Sequence, residues 1–145
     1  MALKQKEKPP GWFILISFLA LMWNIAGVAY FFAHISMTQE TLVQLGPEEH
    51  ALYANTPGWA TGAFAIAVFS GAIAALLMVM KNSVSTIFFQ LSLAGVLVQM
   101  FHAFFIARIV HVLGIGSAVM PLLVIAISAY LVLISFKARG HGWTV

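Results

Sequence analysis

A few side chains in the apolar part of this chain have the types and spacing to do chemistry. Asn24, His34, Gln99 and His102 bring amides and imidazoles into segments otherwise made of aliphatic, aromatic and small residues. Ser92, Gly95, Gln99 and His102 recur at i, i+3, i+7 and i+10, so they share one helical face. Ser17, Asn24, Gly27 and His34, at i, i+7, i+10 and i+17, form a second stripe. Polar stripes in an apolar helix turn from lipid toward protein or a wet cavity. Two amides on inward faces suit hydrogen bonding to a polyol, and Trp23 or Tyr30 offers a flat face to a sugar ring. Trp23, Asn24, Gln99 and His102 are therefore the candidate solute-binding set. The same groups serve equally well as interhelical glue, at ~0.6 kcal/mol or somewhat more per contact.

Other chemistries fit less well. His34 and His102 fall near the same end of two helices, a placement that could ligate haem iron or begin a metal site with His50, His111 and Glu48 or Glu49. No HxxxH or HxxEH spacing occurs, and Phe101, Phe104 and Phe105 crowd the level of His102. No metal and no cofactor are expected. The spans hold no Asp, Glu, Lys or Arg in their hydrocarbon portions, unlike small proton-coupled exporters that rely on a membrane carboxylate. No nucleophile and base, and no carboxylate pair, assemble, so no catalytic residues and no enzyme activity are expected. Arg108 and His111 stand at i, i+3 opposite the loop carboxylates Glu40, Glu48 and Glu49, which suggests an exposed salt bridge contributing ~0–1 kcal/mol.

Composition says what must position these residues. Of 145 residues, 62% are hydrophobic and 8% charged, with a mean hydropathy of +1.00, too few charges to cover a soluble surface. An all-α polytopic membrane protein follows, one domain over residues 1–145 that forms a four-helix bundle in the lipid bilayer. The absence of cysteine excludes disulfides and thiolate chemistry. The net charge of +3 resides in residues flanking apolar segments, which explains orientation and implies no nucleic acid.

The expected spans are about 12–35, 58–80, 84–113 and 117–136, with an outer loop at 36–57. The first is too long for a signal-peptide core and is taken as a retained anchor. In the loop, Ser36 and Gln39 fit a capping box opening a short helix through Leu45, and Pro47 with Glu48 and Glu49 opens another. Leu42, Leu45, Leu52 and Tyr53 would lay both on the membrane surface. Thr56-Pro57 caps the second span, and Ser117 the fourth. Ala63, Ala67, Gly71 and Ala75 form a small-residue ridge for close helix packing, within one copy or between copies of a homo-oligomer. Lys81-Asn82-Ser83 is a tight turn joining antiparallel neighbours. The third helix is free to run unbroken from about Val84 to Leu113, about 45 Å, since neither Gly nor Pro stops it until Gly114 and Gly116. Trp143 suits an interfacial anchor.

Lys4, Lys6, Lys8, Lys81, Lys137 and Arg139 lie on one side and Arg108 alone on the other. The positive-inside rule then places both termini in the cytoplasm and the protein in a bacterial inner membrane. A shift of 68 residues aligns Ser17, Ala26-Gly27-Val28 and His34 with Ser85, Ala94-Gly95-Val96 and His102, the trace a repeated half would leave. Trp23-Asn24, Met37-Thr38-Gln39-Glu40, Ala51-Leu52-Tyr53, Pro57-Gly58-Trp59 and Phe64–Phe69 carry a resemblance from Trp12 to Trp143. The chain resembles a family of small four-helix bacterial inner-membrane proteins sometimes labelled sugar transporters. That resemblance implies a facilitator of a small neutral polar solute such as a sugar. A non-transporting accessory or assembly protein, its stripes serving only for packing, is the alternative.

Overall fold

The computed structural model describes residues 7–145, so Lys4 and Lys6 of the basic tail lie outside the described residues. Four helices are long and apolar enough to cross a membrane, and among the described residues there is no strand. They are α1 (Gly11–Ile35), α4 (Gly58–Val79), α5 (Ser85–Phe101) continued through His102–Ile106, and α7 (Val119–Gly140) with the turn before it. Three short helices, α2 (Gln39–Val43), α3 (Pro47–Ala54) and α6 (Ile109–Leu113), lie at the end of the bundle we call the loop face. The opposite end, the terminal face, carries residues 7–10, the 81–83 turn and the C-terminus. Broad apolar faces, including Leu15, Met22, Ile87, Leu122 and Leu133, remain exposed on all four long helices, as a lipid-facing surface requires. The chain is an all-α integral membrane protein.

Helix neighbours follow the order α1–α4–α5–α7, so α4 is gripped on two sides. The first-helix stripe forms its buried edge: Phe13, Ser17, Ala20, Asn24 and Phe31 are buried at alternating steps of three, four and seven. All four ridge residues, Ala63, Ala67, Gly71 and Ala75, are buried. They pack inside this one chain. A Cβ at Gly95 would lie 2.8 Å from Ala67 N and 2.9 Å from Ala63 O, so α4 and α5 approach backbone to backbone. A Cβ at Gly71 would overlap Asn24 Oδ1 and come within 2.9 Å of Ser92 Oγ. Ser92 Oγ donates to Ala67 O at 2.6 Å, an interhelical bond of the kind that contributes ~0.6 kcal/mol in a membrane.

Several local expectations are corrected. Thr38, not Ser36, caps α2, accepting a bond from Thr41 N at 3.3 Å, and the helix stops at Val43. Thr56 donates back to Leu52 O at 2.7 Å, closing α3 instead of capping α4. Ser117 donates to Gly114 O at 2.6 Å and Ile109 O at 3.2 Å, tying α6 to its own turn, and does not cap α7. The fourth helix runs to Gly140, past the expected end at Phe136, because Lys137 and Arg139 suit the negative end of the helix dipole. Lys137 also lies over the Trp12 ring, 5.3 Å from its centre. Trp143 is no interfacial anchor: it is buried, its ring 5.4 Å from those of Trp12 and Phe13.

Candidate functional site

The largest departure from the sequence expectation creates the most suggestive feature. The third membrane helix does not run to Leu113. At His102–Ile106 its hydrogen bonding widens to the i+5 pattern, with Ala107 N donating to His102 O at 2.8 Å. Arg108 then adopts the left-handed conformation, φ 51 and ψ 45, at a cost of roughly 1–2 kcal/mol for a residue with a Cβ. The chain leaves the helix axis there, and α6 turns to pack against α3. Non-helical backbone at membrane depth is tolerated where it is covered by protein or lines a cavity. Here a cavity is present.

A cleft of about 170 Å³ opens at this break, between α1, α3, α4 and the widened turn. His34, Tyr53, Thr61, Phe64, Gln99 and His102 contribute to its wall. A larger space of about 490 Å³ shares Leu52, His102 and Ala107 with it and reaches Glu48 of α3 and Asn55 just after that helix. His102 is 8% exposed and borders both spaces. Its ring meets Trp59 edge-on at 5.3 Å. His34 enters from α1, its ring 4.8 Å from Tyr53 and 5.7 Å from Phe64. Each imidazole is thus seated against an aromatic ring, and neither has a hydrogen-bond partner among the described residues.

Tyr53 fixes α3 over the cleft. Burial pushes its hydroxyl up to about 12, helped by the charge of Tyr30, by a hydrogen bond with Tyr30, and by nearby Glu49. It therefore stays protonated and able to donate at any physiological pH. Because the folded value lies above the ordinary 10, whatever this pairing adds to stability is present below pH 10 and lost as pH rises through about 12.

The four candidate solute ligands divide. Gln99 and His102 line the cleft. Asn24 does not: it is buried nearer the terminal face, where Nδ2 donates to Ala20 O at 2.8 Å and Oδ1 rests on Gly71. Trp23 points to the exposed side of α1 and offers no ring to the cleft. Tyr53 and Phe64 supply the flat faces instead, from positions that sequence reasoning gave to the membrane surface and to a landmark segment. The spacing of Leu52 and Tyr53 on α3 was the available signal.

The expected loop salt bridge does not form; the one ion pair among the described residues joins His141 Nδ1 to Glu7 Oε2 at 3.2 Å on the terminal face. Among the described residues, no three His, Asp or Glu side chains gather as a metal site. Purified protein is expected to carry neither stoichiometric metal nor haem, which elemental analysis and a visible spectrum check. A Soret band lost in His34→Ala or His102→Ala would contradict this.

The fold defines the class: an integral membrane protein of four helices with a cleft at a helix break, lined mostly by apolar side chains with a few polar ones among them. No family model, curated protein or solved structure matches the chain.

Proposed function

We propose that the protein is a facilitator for a small neutral polar solute such as a sugar, seen with its binding cleft open on the loop face. The observation that carries this reading is the broken third helix, whose widened turn sets His102, beside Gln99 of α5, at a cleft with hydrogen-bonding capacity to spare. Discontinuous helices mark substrate sites in many transporters, where loosened backbone lines the path. The lining holds hydroxyls, an amide and imidazoles beside aromatic faces, and no Asp, Glu, Lys or Arg, which favours an uncharged solute. At about 170 Å³ it is smaller than the ~300–1,000 Å³ of sites for drug-sized ligands, so it fits a molecule of few heavy atoms. The resemblance expected from Trp23-Asn24 and Pro57-Gly58-Trp59 would imply the same class of solute. Nothing in the lining argues for catalysis.

We infer that both termini are cytoplasmic in a bacterial inner membrane, from the basic residues Lys8, Lys81, Lys137 and Arg139 on the terminal face. Reporter fusions after Lys81 and after Val145 should report cytoplasm, and one within 46–50 the outside. An outward C-terminus would reverse the orientation.

The accessory reading draws support from the middle of the bundle, where Asn24, Gly71 and Ser92 are packed together as helix contacts. Uptake of labelled sugars and polyols into proteoliposomes separates the two. Transport above empty liposomes is expected; none across a broad panel, with an intact fold, would leave the accessory role.

A further inference from the structure

The terminal face is closed by the last residues of the chain, and the closure covers polar groups that it leaves unsatisfied. After α7 the chain turns at Gly142 (φ 71), and Trp143 N donates to Ala138 O at 2.9 Å. The tail then runs beside the turn between α4 and α5: Val145 N donates to Lys81 O at 2.9 Å and Ser83 N donates to Val145 O at 3.0 Å. Trp143 is wedged against Trp12 and Phe13 of α1 and stacked on His141 at 4.9 Å. A hook from the end of α7 therefore joins α1 to the α4–α5 turn, bridging the two ends of the helix row.

Four buried polar atoms on this face have no hydrogen-bond partner among the described residues: Ser85 Oγ, Thr86 Oγ1, Trp143 Nε1 and Thr144 Oγ1. Ser85 and Thr86 begin α5 two and three residues after Ser83, whose backbone is bonded to Val145, next to Thr144. The pairing of turn and hook thus brings the two sets to one end of the bundle. The four groups are three hydroxyls and an indole N–H, and they share with the loop-face cleft its hydroxyls and its lack of Asp, Glu, Lys and Arg. Elsewhere the buried hydroxyls of Ser17, Ser70, Ser92 and Ser135 all find backbone acceptors. Unsatisfied buried polar groups are costly, and the seated hook leaves four of them at this one end of the bundle.

We propose that the hook Gly142–Val145 is the cytoplasmic gate of the solute path, and that Ser85, Thr86 and Thr144 are the hydroxyls a hydroxylated neutral solute meets when the hook lifts. This rests on the transport reading above. With the loop-face cleft open and the hook seated, the structure is the outward-facing arrangement; release of Trp143 and of the Val145 backbone bonds opens the other side. The hook is held by two backbone bonds, ring contacts and an exposed His141–Glu7 pair, all of which can break without unpacking α4 from α5.

The absence of cysteine makes the test clean. Residues 82 and 145 oppose each other across the two backbone bonds, which makes them the pair to crosslink with a disulfide, a bond that needs a Cα separation of ~4.4–6.8 Å. Asn82→Cys with Val145→Cys, oxidised in proteoliposomes, is expected to bind from the loop face, but not to transport, whichever labelled sugar or polyol the wild type takes up, and reduction should restore uptake. Each single substitution serves as the control for fold. Undiminished uptake by the oxidised pair would sink the gate while leaving transport intact. A wild type that neither binds nor moves any solute would sink the transport reading, and the gate with it. Independently, Ser85→Cys should resist a membrane-impermeant thiol reagent from the cytoplasmic face and become reactive when combined with Trp143→Ala. Equal reactivity with and without Trp143 would also overturn the proposal.

Discussion

Gly95→Ala should lower the melting temperature of the protein in detergent far more than Gly62→Ala, although both exchange the same residues in long helices. The added methyl at 95 meets Ala67 N at 2.8 Å and Ala63 O at 2.9 Å, backbone atoms that cannot rotate aside. α4 and α5 must separate to admit it, at a cost of ~1–3 kcal/mol or more for overpacking. Nothing lies within 4 Å of a Cβ at Gly62, so alanine there is neutral or gains up to ~1 kcal/mol from helix propensity. Gly71→Leu should behave like Gly95→Ala, because its side chain displaces Asn24 and breaks the Ser92–Ala67 bond, whereas Val79→Leu, at the end of the ridge helix, should be tolerated. Equal melting of the Gly95 and Gly62 variants would mean that the α4–α5 contact is not this close.

Substitutions at the two polar levels of the bundle should fail in opposite ways. His102→Leu and Gln99→Leu remove cleft-facing hydrogen-bonding groups that have no partner among the described residues, so the fold loses little while a bound solute is left with an unpaired polar group. Such a loss costs ~1–3 kcal/mol, or roughly a five- to hundredfold weaker affinity. Asn24→Leu removes a side chain bonded to Ala20 O and packed on Gly71, so stability should fall first and the intact fraction should still bind. Binding isotherms run beside melting curves make the comparison. Should His102→Leu bind normally and Asn24→Leu abolish binding without a change in stability, the cleft would be the wrong site.

The parts of this structure visible in the sequence are those with a period. The stripe through Ser17 and Asn24, the small ridge through Ala67 and Gly71, and the short turn at Lys81 each constrain a helix face or a neighbour directly. The break at His102–Arg108 leaves no such mark. The widened turn has no preferred composition, and the left-handed position that Gly or Asn would have announced is held by Arg108. Trp23 illustrates a second limit. It adjoins Asn24, whose stripe turns inward, but one residue is about 100° around the helix, and that step carries the Trp23 ring to the exposed side. Trp143 was assigned by residue type to the interface, but a tail can fold back, and type carries no information about that.

The backbone-close contact of α4 with α5 also bears on how the protein is made. The two helices are consecutive, joined by a turn of a few residues, and their tightest contacts, Gly95 with Ala67 and Ser92 with Ala67, need no other helix. Pairing of such neighbours closes a small loop and is entropically cheap. The pair can therefore enter the membrane as a finished hairpin while α7 is still being synthesised. α1, already inserted, then docks through Asn24 and Phe31, and the hook from α7 comes last. A nascent chain that stalls after α5 should already hold the α4–α5 contact, with its terminal face still open.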